Sequence, residues 1–233
     1  MSGKERTVGD RFRTGKAYTI RQAAALAKVS QGTVRNWLYG STSVDGYQME
    51  PVFGGKEKTG EVARVSFLEL SELIIVARYR KLKLKLERIR SAHKFARSEF
   101  GVLYPFAYFD LTTIGGHVLR KFEQEHPDTG PHFVVLSAPD QYVLPGLVQG
   151  ETERFEYSPD DKFAVRWFPY GKEVPIVVDP HFAGGRTTVA GRGVTIDIIK
   201  ARFFKAHESI AAIARDFRLK HKDVEEVIRV RAA

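Results

Sequence analysis

Apolar residues recur at helical spacing near the start of the chain. In "YTIRQAAALAKVSQGTVRNWLYG" (18–40), Ile20, Ala23, Ala24 and Ala27 lie three and four positions apart, which predicts one buried helical face. Thr19 stands at the N-cap position, and the alanines permit close approach of a neighbour. Val29 and Ser30 interrupt the pattern. Ser30 caps a second predicted helix that buries Val34, Trp37 and Leu38 and ends at Gly40. Gln31, Thr33, Arg35 and Asn36 fall on its outward side. Two short helices around a tight turn, the second polar and basic outside, predict a helix-turn-helix.

The pattern then changes several times. "YQMEPVFGGKEKTGEVARVSF" (47–67) predicts two strands around a glycine-and-lysine tip, a wing placed after the helix pair. "FLELSELIIVARYRK" (67–81) returns to helical spacing through Leu70, Leu73, Ile74 and Ala77, with Ser66 as its cap. "KLKLKLERIRSAHKFARSEFG" (81–101) opens with a strand-like alternation. Leu86, Ile89, Phe95, Ala96 and Phe100 nonetheless predict a helix ending near Gly101. From Tyr104 to Val178, short runs such as "HFVVLS" and "FAVRWF" alternate with turn chemistry ("APD", "SPDD", "GKEVP"), which predicts a small antiparallel β segment. Residues 195–230 predict three more helices, marked by Ile196, Ile199 and Phe203, then Ile210, Ile213, Ala214 and Phe217, then Val224, Val227 and Ile228. The break at "RLKHK" resembles a second helix-turn-helix. The fold class expected is α+β, and no internal repeat stands out.

Charge divides along the same lines. The net charge of +9 is uneven: residues 1–100 carry 20 Lys/Arg against 10 Asp/Glu, residues 101–180 carry 6 against 12, and residues 181–233 carry 11 against 6. A basic head suits a polyanion such as DNA. In that reading Arg35, Asn36 and Gln31 reach base edges, Thr33 meets phosphates, and the wing lysines Lys56 and Lys58 meet the backbone or the minor groove. Thr19, Arg21 and Tyr39 complete the expected DNA-binding set.

Other chemistry is sparse. With no cysteine, neither disulfides nor thiolate zinc sites can form, and the 7 histidines are scattered without H-E-x-x-H spacing, so no metal site is expected. Asp160 and Asp161 sit in a Pro-Asp-Asp-Lys turn that accounts for them without acid–base catalysis. No G-x-S-x-G or Ser/His/Asp arrangement is visible, and neither an enzyme activity nor a cofactor is expected. The polar beginning "MSGKERTVGDRFRTGK" has no apolar signal region and no run suits a membrane helix, so the expectation is a cytoplasmic protein with no membrane partner.

"AGGRTTVAGRGVTI" (183–196) brings Gly184, Gly185, Gly191 and Gly193 before a helix, which raises the question of a phosphate cradle. The third glycine of G-x-G-x-x-G is missing after Gly193, and no Gly-Lys-Ser/Thr follows. A structural turn explains the glycines better than a nucleotide site does.

Taken together, "YTIRQAAALAKVSQGTVRNW", "SFLELSELIIVARYR", "YPFA", "VDPHFAGGRTTVAGRGVTIDIIKARFFKAHESIAAIARDF" and "DVEEVIR" resemble a family of bacterial VapB-type antitoxins. In that family a MerR-like winged helix-turn-helix precedes a short C-terminal helical domain. The resemblance covers most of residues 17–231. With the residue pattern it divides the chain into a flexible basic tail over 1–16, a MerR-like DNA-binding domain over 17–105, a β-rich linking segment over 106–178 and a C-terminal helical domain over 179–233. It also implies two partners, a PIN-like ribonuclease toxin from the same operon and the operator DNA; because one small reading helix covers too little DNA for a specific operator, a homodimer is expected. The long helix at 84–100 is the candidate for part of the dimer interface. Phe182, Arg186, Arg192, Phe203 and Phe204 are the expected toxin contacts, because a basic, aromatic tail suits the carboxylate-rich metal site of such a nuclease. Two departures stand out: Ala206 and His207 replace a glycine-bearing turn, and Lys220 replaces a Ser or Thr cap. A stand-alone MerR-like regulator sensing a small molecule through the β segment is the alternative.

Overall fold

The computed structural model describes residues 8–42, 44–46, 48–53, 64–108, 135–138, 141–143 and 151–230. The chain divides into two compact units, one of residues Met1–Glu153 and Tyr157–Ala164, the other of Arg154–Glu156 and Val165–Ala233. It mixes helices with small antiparallel sheets, as the pattern predicts.

In the first unit, a short helix α1 (Arg11–Thr14) is capped by the Asp10 side chain, which accepts from the Phe12 N–H. Strand β1 (Tyr18–Thr19) leads into α2 (Ile20–Ala27), which begins with a full capping box. The Thr19 hydroxyl accepts from the Gln22 N–H, and the Gln22 side chain accepts from the Thr19 N–H at 2.9 Å. Lys28 takes the left-handed conformation that ends α2. Ser30 then caps α3 (Gln31–Tyr39), accepting from the Thr33 N–H at 3.0 Å. Gly40 closes α3 at φ 72, and a Cβ there would stand 2.5 Å from the Met49 carbonyl oxygen, so the turn needs glycine.

The predicted wing differs in its pairing. Strand β2 (Ser41–Thr42) pairs with β3 (Gln48–Met49), while β4 (Arg64–Val65) pairs with β1, both antiparallel. Among the described residues the two runs of the expected hairpin therefore join different neighbours. The tip, with Lys56 and Lys58, lies outside the described residues.

Helix α4 (Phe67–Lys81) follows its Ser66–Glu69 capping box and buries twelve of its fifteen residues, far more than the single stripe its spacing suggests. A helix enclosed on all sides has to satisfy its polar groups internally. Ser71 donates to the Phe67 carbonyl at 2.9 Å, Glu69 pairs with Lys16, and Glu72 accepts from the Phe106 N–H at 3.2 Å. Glu72 also meets His93 Nε2 at 2.9 Å, with both side chains buried. His93 belongs to α5 (Leu86–Phe100), the helix predicted over 84–100, which ends at left-handed Gly101. A 3-10 turn, Pro105–Ala107, follows, and the antiparallel pair β5 (Val135–Ala138) and β6 (Gln141–Val143) lies further along the chain.

Most of a four-stranded sheet in the order β10-β9-β8-β7 belongs to the second unit; its strands are β7 (Phe155–Tyr157), β8 (Ala164–Trp167), β9 (Ile176–Val178) and β10 (Thr187–Val189). The β8–β9 and β9–β10 pairs are antiparallel. Helices α6 (Ile196–Phe204), α7 (Ile210–Phe217) and α8 (His221–Arg229) complete that unit. Ile176 and Val189 of the sheet share one buried cluster with Ile196, Ile199, Ile213, Ala214, Val224 and Val227 of the helices.

Candidate functional site

Two surfaces hold the residues singled out by the sequence. On α3 the 3.6-residue period sets Gln31, Arg35 and Tyr39 along one line, with Asn36 beside it. Gln31, Arg35 and Asn36 are exposed, Tyr39 is half-buried, and Val34, Trp37 and Leu38 anchor the opposite side. Thr33 is half-buried, and its hydroxyl lies 2.9 Å from that of Ser30. Arg21 is exposed on the first turn of α2, whereas the Thr19 hydroxyl is occupied by the capping box. The Trp37 carbonyl accepts from the Val52 N–H at 2.7 Å, which ties the residues after β3 to the back of α3. A rigid helix with amide and guanidinium groups facing solvent can donate to base edges and phosphates together.

The second surface is the glycine loop and α6. Gly184, Gly185, Gly191 and Gly193 all have positive φ, between 63 and 76. Three of the loop's amides are used internally: the Gly185 N–H donates to the Phe182 carbonyl, Arg186 to Ala183 and Arg192 to Val189. Backbone donors spent on turn closure are not available to cradle a phosphate. A methyl group on Gly193 would sit 3.4 Å from Phe182 Cδ1, so the ring lies close over that glycine.

Arg186 and Arg192 are exposed, as are Phe182 and Phe204, at 43% and 55%. Phe203 is half-buried against the helical core and meets Phe204 edge-on, with ring centroids 5.0 Å apart. Ile198 is also exposed, at 46%, and its place in an apolar run gave no sign of that.

Between α6 and α7, Arg202 binds Glu208 and Asp216 and lies 5.0 Å from the centre of the Phe217 ring. Hydrogen bonds from Arg202 hold the Glu208 and Asp216 carboxyls below their ordinary range. His207, between α6 and α7, has φ 55, a left-handed conformation that favours glycine. Lys220 opens α8 without a side-chain cap.

Among the described residues no group of three His, Asp or Glu side chains could hold a metal ion. No described helix is long and apolar enough to cross a membrane.

Residues 176–229 match the family described as "Protein of unknown function (DUF433)". Over 217 residues the chain is 23% identical to the protein named "Putative antitoxin VapB45" of Mycobacterium tuberculosis (strain ATCC 25618 / H37Rv), covering 86% of this chain and 87% of that one. The X-ray crystal structure of Rv2018 from Mycobacterium tuberculosis has the same fold, with a TM-score of 0.74, 22% identity, and coverage of 91% of this chain and 97% of that one.

Proposed function

We propose that the chain is the antitoxin of a toxin–antitoxin pair. In this reading α2 and α3 form the helix-turn-helix of a MerR-like domain that binds operator DNA. The second unit holds a PIN-like ribonuclease, and the protein acts as a homodimer with α5 in its interface. The observation that carries the reading is the similarity to a named antitoxin over 217 residues, a length that has to draw on both compact units. The exposed Gln31, Arg35 and Asn36 on α3 support the DNA role. The exposed Arg186, Arg192, Phe182 and Phe204 support the toxin role, since cations beside aromatic anchors complement a carboxylate-lined metal site. The chain carries out no chemistry of its own in this account; it binds and blocks.

The experiment is co-expression of the full chain with the product of the adjacent reading frame. A stable complex on sizing chromatography, with ribonuclease activity that returns when the two are separated, is the expected result. An adjacent product without nuclease activity, or one still active at excess antitoxin, would sink the proposal.

A further inference from the structure

A cavity of about 440 Å³ lies inside the first unit, beside α3. Its walls come from the α2–α3 turn, α3, the β2–β3 strands, the last turns of α4 and the start of α5. Four cations line it, Lys28, Arg80, Lys81 and Arg90, and no carboxylate does among the described residues.

Two of its polar atoms are orphans. Arg90 Nε and Ser41 Oγ are shut from water and have no hydrogen-bond partner among the described residues. Buried donors without acceptors are rare in folded proteins, and each calls for a specific explanation. Arg80 is braced by its bond to the Leu84 carbonyl at 2.5 Å. Burial, together with the nearby charges of Arg78 and Lys28, lowers the Lys81 ammonium from its usual value despite the attraction of Glu151. Glu151 itself is engaged by Arg78 at 2.6 Å. Among the described residues, four cations with no carboxylate around one space, two of whose lining residues also carry unsatisfied polar atoms, favour a ligand rich in negative acceptors.

We propose that this cavity is a phosphate-binding site in which Lys28, Lys81, Arg90 and Ser41 hold the oxyanion against the flank of α3. The phosphate has two sources, the backbone of a duplex lying along α3 or a free phosphate. Asn36 and Thr33 line the same cavity, so occupancy by a free phosphate would compete directly with a duplex. The duplex source rests on the DNA-binding reading above; the free source does not.

The test uses the full chain and the variants Arg90→Met, Lys81→Met and Lys28→Gln. The last alters an exposed side chain and guards against misfolding. Inorganic phosphate is titrated by calorimetry against a chloride control of equal ionic strength. A wild-type affinity that falls about tenfold in each variant, with thermal midpoints unchanged, supports the site with a free phosphate as source. A slope of log affinity against log salt for duplex binding that shrinks by about one per removed cation supports it with a duplex phosphate as source. The proposal is overturned if phosphate adds nothing to chloride and the variants leave the duplex slope unchanged, or if no duplex binds either. Duplex binding with an unaltered slope and no phosphate response removes the site and leaves the DNA reading standing. Phosphate binding without any duplex binding does the reverse.

Discussion

The guanidinium of Arg13 straddles the carboxylate of Asp161, with Nη1–Oδ1 at 3.1 Å and Nη2–Oδ2 at 2.5 Å, across 148 residues of chain. The Arg13 side chain is almost fully buried and also binds Asp10 at 2.9 Å. Burial alone would raise the Asp161 carboxyl; the Arg13 bonds and charge, with donors from Phe163 and Ser158, hold it below its ordinary 3.8. A depressed carboxyl means that the unfolded chain binds the proton more readily. The stabilisation is therefore complete above 3.8 and disappears as pH falls through the lower folded value. Asp161→Asn is expected to cost about 1.5–3 kcal/mol at neutral pH, the range for bonds to charged groups, and to lessen the loss of stability on acidification. Urea denaturation at pH 7 and pH 3 measures both; equal losses for variant and wild type between the two would refute it.

On α3, Arg35→Ala or Asn36→Ala is expected to cost about 1–3 kcal/mol of preference for the operator over random duplex, if the side chain reads a base. Competition mobility shifts give that number. Variants that keep full preference would move the reading surface off α3, and light scattering showing only monomers with operator bound would remove the dimer.

Toxin binding is expected to respond to the sign of charge at the glycine loop. Arg186→Glu with Arg192→Glu should weaken the complex more than the double alanine variant, because two acidic surfaces would then face one another. Both side chains are exposed, and the side-chain bond lost with them, from Arg186 Nε to the Ala183 carbonyl at 3.1 Å, is common to the glutamate and alanine variants. Equal affinity for the glutamate and alanine variants, by calorimetry with the purified partner, would place the contact elsewhere.

Two substitutions are expected to stabilise the second unit. His207 holds φ 55 without being glycine, and relief of that left-handed strain by His207→Gly should gain up to about 1 kcal/mol, the added freedom of the unfolded chain offsetting the rest. Lys220→Ser would supply the cap that α8 lacks, worth about 0.5–2 kcal/mol. Thermal melts of each single variant check both, and a lowered midpoint in either would contradict the assignment.

Local features of the fold were readable from residue order. Thr19, Ser30 and Ser66 cap as expected because capping depends on residues within one turn. The buried faces of α2 and α3 follow the same short-range logic. Long-range choices left no such trace. Nothing in "ARV" says that β4 will pair with β1 rather than with the run at 47–49, and nothing in "RFRTG" points to Asp161. The exposed face of α3 was legible because its residues share one period. The cations of the cavity were not, since Lys28, Lys81 and Arg90 lie on separate elements and each alone resembles an ordinary solvated charge.

The sheet of the second unit has a consequence for how that unit can be inherited. The family match begins at Ile176, yet the strand starting there, β9, has β8 as one neighbour and β10 as the other. All three of its residues, Ile176, Val177 and Val178, are buried. A chain severed at the edge of the recognisable segment would lose β7 and β8 and offer a bare rail of aliphatic side chains and unbonded amides, a template for stacking onto other molecules. The piece that can be transplanted intact between proteins thus extends upstream past Phe155, and it is longer than the signature by which it is recognised.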